Sequence, residues 1–214
     1  MSIIKASEWL KRGKFIAIIR GKYTQDDMDI IAETLVSDSI ISLEITFTTP
    51  SALVFIDRLR KKFGDEVLVG AGTVRTKDQV QQAIDAGAQF IVSPNFDTNS
   101  AVLAQQNDLL HLPGVATPTE AQTAFAAGCK MLKLFPADLL GGPAYLKAIR
   151  APLDDIDFAP SGGITADNVR AYQQAGAVAL GIGSWLVPAV DWKPENIKIR
   201  ARALHAACLE SEHA

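Results

Sequence analysis

Three of the chain's four Ala-Gly pairs, Ala86-Gly87, Ala127-Gly128 and Ala175-Gly176, each close an amphipathic stretch and are each followed within two or three residues by a short apolar, β-rich run. Glycine in the left-handed conformation stops a helix, and so brief a connection brings the next strand back beside the helix it leaves. Repetition of this unit is the pattern of βα crossovers on a parallel sheet. Eight strand candidates can be read, at 15–20, 41–47, 67–73, 90–94, 109–113, 131–136, 158–162 and 179–184. Threonines at 24, 76, 117 and 165 stand where helices should begin, each with a hydroxyl able to cap exposed amides. Eight such units close into a (β/α)8 barrel of the TIM type. Residues 2–12 form an extra N-terminal helix placed to cover the bottom of the barrel, and a helical stretch over 194–210 ends the sequence. With no linker or low-complexity tract, residues 1–214 are expected to form one barrel domain.

Composition excludes several classes of function. A formal net charge of -3, with Lys and Arg interspersed among acids, leaves no phosphate-tracking surface, so no nucleic-acid partner is expected. The apolar run at 15–19 is too short for a signal core or a membrane span. Cys129 and Cys208 lie far apart and form neither a disulfide framework nor a metal-binding spacing, which fits a reducing cytoplasm.

Strand alternation places polar residues where a barrel interior should be apolar. In the second strand Leu43, Ile45 and Phe47 must meet helices, which leaves Ser42, Glu44, Thr46 and Thr48 inside. A buried carboxylate is costly unless paired or functional, so Glu44 is either half of a buried salt bridge or a catalytic group. The sixth strand carries the opposite anomaly, with Met131, Lys133 and Phe135 on one face and Leu132 and Leu134 on the other. Burial depresses a lysine pKa, and the neutral amine is the form that attacks a ketone to make a Schiff base. Arg20 and Thr73 close the first and third strands at the carboxyl-terminal rim, where barrel active sites are built; a guanidinium fork and a hydroxyl suit a substrate carboxylate. Arg20 could alternatively pair with Glu44 or a rim acid.

Ser161-Gly162-Gly163-Ile164-Thr165 follows the seventh strand and Gly181-Ile182-Gly183-Ser184-Trp185 the eighth. Glycines at these two positions let backbone amides approach a phosphate, and a helix amino terminus adds favourable partial charge.

Taken in order, Leu43-Glu44-Ile45-Thr46, Gly70-Ala71-Gly72-Thr73-Val74, Ser93-Pro94, Pro113-Gly114, Lys133-Leu134-Phe135-Pro136-Ala137, Ser161-Gly162-Gly163-Ile164 and Gly183-Ser184-Trp185-Leu186-Val187-Pro188 resemble the 2-keto-3-deoxy-6-phosphogluconate (KDPG) and 4-hydroxy-2-oxoglutarate aldolase family over roughly residues 10–190. The resemblance implies a class I aldolase that cleaves a phosphorylated keto acid to pyruvate and glyceraldehyde 3-phosphate. It implies a homotrimer with no metal or organic cofactor. By the same resemblance Lys133 forms the Schiff base, Glu44 moves protons, and Thr73 holds the substrate carboxylate. Gly162, Gly163 and Ser184 would bind phosphate, with Ser161 and Gly183 beside them, while Pro94, Phe135 and Thr48 line the pocket. Many members carry an arginine two residues after the threonine of Leu-Glu-x-Thr, where this chain has Thr48. The related 6-phosphogalactonate aldolases also lack it, carry a proline as at Pro50, and have an arginine matching Arg20, so Arg20 is expected to supply the guanidinium. The alternatives are the galactonate epimer or 4-hydroxy-2-oxoglutarate as substrate, another phosphate-binding barrel isomerase or decarboxylase, or a barrel that only binds a phosphorylated metabolite.

His111, His205 and His213 show no metal-ligand spacing and are expected to be structural or exposed. Cys129 reads as a small buried hydrophobe, Trp185 as packing behind the last loop, and Asp26, Asp27 and Asp29 as solvated residues of a helix's first turns.

Overall fold

The computed structural model describes residues 1–209; Glu210 and His213 lie outside the described residues. In chain order the elements are α1 (Ile3–Gly13), β1 (Phe15–Ile19), α2 (Gln25–Ser37), β2 (Ser42–Thr46), α3 (Ala52–Phe63), β3 (Leu68–Gly72), α4 (Lys77–Asp85), β4 (Phe90–Val92), α5 (Thr98–Gln106), β5 (Leu110–Leu112), β6 (Gly114–Val115), α6 (Pro118–Ala126), β7 (Met131–Leu134), α7 (Gly142–Arg150), β8 (Asp157–Pro160), α8 (Val169–Gln174), β9 (Leu180–Ile182) and α9 (Pro194–Leu209).

All strand pairs are parallel. They form a curled six-stranded sheet in the order β5-β4-β3-β2-β1-β9 and a three-stranded sheet in the order β6-β7-β8. The fifth expected strand is split because Pro113, between β5 and β6, has no N–H to give to the ladder; its carbonyl still accepts from the Lys133 amide at 2.9 Å. A parallel bridge between Ser161 and Gly181 links the end of the smaller sheet to β9.

Alternation along the strands separates two apolar regions. Leu43, Ile45, Leu132, Leu134 and Phe158 face outward and pack with helix residues such as Ile31, Leu35, Phe55 and Tyr172. Ile16, Leu68, Phe90, Val92, Leu112 and Met131 face inward, and Ala6 and Leu10 of α1 pack against them. Each fully buried side chain of this size contributes about 1.5–3 kcal/mol. The Trp9 indole donates to the Ile41 carbonyl at 3.3 Å, fixing α1 across the amino-terminal ends of the strands.

Thr24 and Thr117 cap α2 and α6 with reciprocal capping boxes, and Thr76 caps α4. Thr165 does not cap a helix. Instead the Asn168 side chain accepts from the Thr165 amide at 2.9 Å and donates to the Gly163 carbonyl at 2.7 Å, holding the segment as a turn until α8 starts at Val169. Gly87, Gly128 and Gly176 all take positive φ at the helix ends where they were expected.

Candidate active site

Strand register brings the two interior charges together. Ser42, Glu44 and Thr46 are buried, with Glu44 only 2% exposed, and Lys133 is 7% exposed. Both line a small void of about 10 Å³, room for roughly one water. The Glu44 Oε1 atom is buried and has no hydrogen-bond partner among the described residues. Above this void a cavity of about 850 Å³ opens at the carboxyl-terminal ends of the strands. Ile18, Lys133, Ser161 and Gly181 belong to both spaces, so they form the floor between them.

Burial pushes the Glu44 carboxyl up from its ordinary range, against the opposing pull of Lys133 and then Arg20. Burial pushes the Lys133 ammonium down, with Glu44 opposing and Arg20 reinforcing the shift. Each group is therefore driven towards its neutral form. The Lys133 Nζ also lies 4.6 Å from the centre of the Phe135 ring.

Among the described residues, Arg20, Lys22 and Lys133 are the charged residues of the large cavity wall, and no carboxylate lines it. Arg20 lies one residue beyond β1, exposed at the mouth. Its position is set by the rim around it. Thr46 and Thr49 hydroxyls donate to the Ile19 carbonyl at 3.4 and 3.3 Å, and the Tyr23 hydroxyl lies 3.3 Å from the carbonyls of both Arg20 and Pro188. Thr48 is exposed at the mouth rather than inside, because β2 ends at Thr46; it still lines the cavity.

Gly162, Gly163, Gly183 and Ser184 share this wall with Ser161. Gly162 and Gly163 have φ of 104° and 67°, conformations a side chain would strain. No helix opens directly after β9. The chain makes one turn there, in which Leu186 and Val187 amides donate to the Gly183 carbonyl at 2.9 and 3.0 Å.

Two expected residues are off this wall. Thr73 stands half-buried just past β3 with φ 58°, and Pro94 lines a neighbouring cavity of about 300 Å³ that meets the first across Phe135. Trp185 lines the main cavity as well as packing on the outer core, contrary to the expectation that it only packs behind the loop. Ile18 and Lys22 were missed; Ile18 shares the inward strand face of Ile16 and could have been found by counting in twos, whereas Lys22 lies past the end of β1 where alternation no longer applies. Val187, Ala189 and Val190 carry no signal in the sequence that places them at the mouth. His111 is buried, bonded through Nε2 to the Ser93 hydroxyl at 2.8 Å on the helix-facing side, and burial lowers its pKa to about 4. Cys129 is buried and its thiol is pushed up to about 11, in keeping with an inert hydrophobe. His205 contacts the Asp38 carbonyl at 3.0 Å and the edge of Phe15. Among the described residues no helix is long and apolar enough to cross a membrane.

A buried amine facing a buried carboxyl, under a mouth lined by cations and glycine turns, is an arrangement for covalent chemistry on an anionic carbonyl compound, the chemistry of the carbon-carbon lyases. The family model for KDPG and KHG aldolase matches residues 6–201. The 2-dehydro-3-deoxy-phosphogluconate aldolase of Treponema pallidum is 37% identical over 187 residues, 87% of this chain and 88% of that one. A native KDPGal structure superposes with TM-score 0.88 at 33% identity, covering 94% of this chain and 96% of that one. The KDPG aldolase of Legionella pneumophila, with pyruvate captured at low pH as a covalent carbinolamine intermediate, superposes with TM-score 0.83 at 31% identity, covering 94% and 97%. The chain belongs to the KDPG and KHG aldolase family.

Proposed function

We propose that the protein is a class I aldolase that cleaves 2-keto-3-deoxy-6-phosphogluconate to pyruvate and glyceraldehyde 3-phosphate. The observation that carries this reading is the inward pair Lys133 and Glu44 at the floor of a cavity whose wall is cationic and glycine-lined. Lys133, driven towards the neutral amine by burial, attacks the 2-keto carbon, and Glu44 moves protons as the carbinolamine forms and loses water. The resulting iminium takes up the electron pair of the C3–C4 bond as the 4-hydroxyl loses its proton to Glu44. Glyceraldehyde 3-phosphate leaves, and the enamine left on Lys133 is protonated at C3 and hydrolysed to pyruvate.

Arg20 grips the carboxylate as a two-point fork. Thr73 completes that end from the rim of β3. Its φ of 58° supports the role, since a β-branched residue in that region costs about 1–3 kcal/mol, a strain characteristically kept at functional positions. Amides of Gly162, Gly163, Gly183 and Ser184, with Ser161, take the phosphate, and the two anchored ends hold the scissile bond over Lys133. Phe135 and Thr48 close the walls, with Pro94 behind Phe135.

The same reading takes residues 1–214 as one (β/α)8 domain, supported by the Ser161–Gly181 bridge and by β5 and β6 being one strand interrupted at Pro113. It takes the assembly as a homotrimer, supported by the family resemblance and open to light scattering. The decisive experiment is borohydride reduction in the presence of pyruvate: a covalent adduct on Lys133 is expected, and no adduct, or one elsewhere, overturns the assignment. Arg20 on the cavity wall where Thr48 replaces the more usual arginine favours a second substrate, the 6-phosphogalactonate epimer. The ratio of kcat/KM for the two epimers decides between them.

A further inference from the structure

Gly70 and Gly72 both face the interior of β3, yet they make room for different things. A β-carbon at Gly70 would run into the ring of Phe90, whereas one at Gly72 would meet Oε1 of Glu44 and come within 2.6 Å of its Cδ and Cγ. The register sharpens the contrast, because Glu44 lies opposite Gly70 and Thr46 lies opposite Gly72. The Glu44 side chain therefore leans one inward position along the strand, towards the mouth, and its carboxyl end occupies the space a residue at 72 would fill. An upright Glu44 would instead stand over Phe90, among the inward apolar residues Leu68 and Val92.

We infer that Gly72 is a positioning residue for Glu44: the absent side chain is what lets the carboxyl group lean into the void it shares with Lys133. The inference rests on the proton-carrying role given to Glu44 above. It assigns different jobs to two glycines two residues apart, one serving packing and the other catalysis.

The experiment compares Gly72→Ala with Gly70→Ala in steady-state kinetics and thermal unfolding. Gly72→Ala should lower kcat about 100-fold, as displacement of a reacting group by an ångström or so does, with a much smaller change in KM. Its pH profile should shift upward, because a carboxyl pushed away from Lys133 loses the attraction that opposes the effect of burial. Gly70→Ala should lower Tm and keep the parental pH profile. In a Glu44→Gln background, Gly72→Ala should cause no further loss of kcat, since both changes act through one group.

Parental kcat and pH profile in Gly72→Ala, or losses that simply add in the double variant, would overturn the inference. Should Gly72→Ala fail to fold, the double variant Gly72→Ala/Glu44→Asp removes one methylene from the group it strikes. Recovery of the fold then supports the inference, and continued failure overturns it. Full activity in Glu44→Gln alone would sink the proton-carrying role itself, whereas a loss there with none in Gly72→Ala sinks only the positioning.

Discussion

Replacing Arg20 with alanine tests where the substrate carboxylate is held. Arg20 is exposed at the cavity mouth, away from both apolar regions, so its removal should leave folding stability within about 0.5 kcal/mol of the parent. A hydrogen bond to a charged group is worth about 1.5–3 kcal/mol, which corresponds to a loss of roughly 10- to 150-fold in kcat/KM. The carboxylate is bound throughout the reaction, so most of the loss should appear as a higher KM. A second effect follows from charge. Arg20 lowers the pKa of Glu44 and of Lys133, so its removal lets both rise and should move the whole pH profile of kcat/KM towards higher pH. Lactate dehydrogenase coupling, with pyruvate formation followed as NADH is consumed over a range of pH, reads both effects. Thr48→Arg in the Arg20→Ala background should recover part of the loss, because position 48 lines the same wall. Unchanged kcat/KM and an unmoved pH profile in a folded Arg20→Ala protein would refute the reasoning.

Asn168→Ala should raise KM for the phosphorylated substrate several-fold, since it frees the Thr165 amide and Gly163 carbonyl that hold the glycine turn, at about 1 kcal/mol for each bond. Borohydride trapping of pyruvate, which has no phosphate, should proceed as in the parent; an equal loss in both assays would place the effect elsewhere. Phe158→Ala should cost about 3–5 kcal/mol in urea unfolding, because the ring is fully buried in the outer core, and a loss under about 1 kcal/mol would contradict that packing. His111 has its folded-state pKa lowered by burial from 6.5 to about 4. The unfolded chain binds the extra proton between those values, so stability is full above pH about 6.5 and falls as pH drops towards 4, by about 3 kcal/mol. Unfolding free energies of His111→Gln across that window should lose most of this slope, and an unaltered slope would assign it to other groups.

The features legible in the sequence were those set by local periodicity. Alternation in twos put Glu44 and Lys133 inside and Leu132 and Leu134 outside, and the capping threonines 24, 76 and 117 marked three helix starts. What escaped depended on partners far away in sequence or on competing local bonds. Thr165 has the composition of a cap and its hydroxyl does accept the Asp167 amide at 3.2 Å, yet with Asn168 bonded back to the Thr165 amide the segment stays a turn and α8 starts only at Val169. Asp29 reads as a solvated first-turn acid, yet α3 brings Arg58 to it at 2.6 Å and Lys62 at 3.5 Å. Trp185 has one edge on the core and another on the cavity, a division no local pattern reveals. Thr48 was assigned to the interior by extending the alternation past the point where the strand stops.

The ladder holding β7 has a bearing on the chemistry that its hydrogen bonds alone do not express. Lys133 pairs with Gly114 on one side and Ala159 on the other, two residues further along the strand than Met131. Slipping β7 by a single residue would turn its amine out among the helices and present Leu134 to the substrate. On the proposed Schiff-base role of Lys133, misthreaded molecules would be chemically dead as well as poorly packed, so recovered turnover after dilution from denaturant would report the fraction of molecules with this strand correctly aligned.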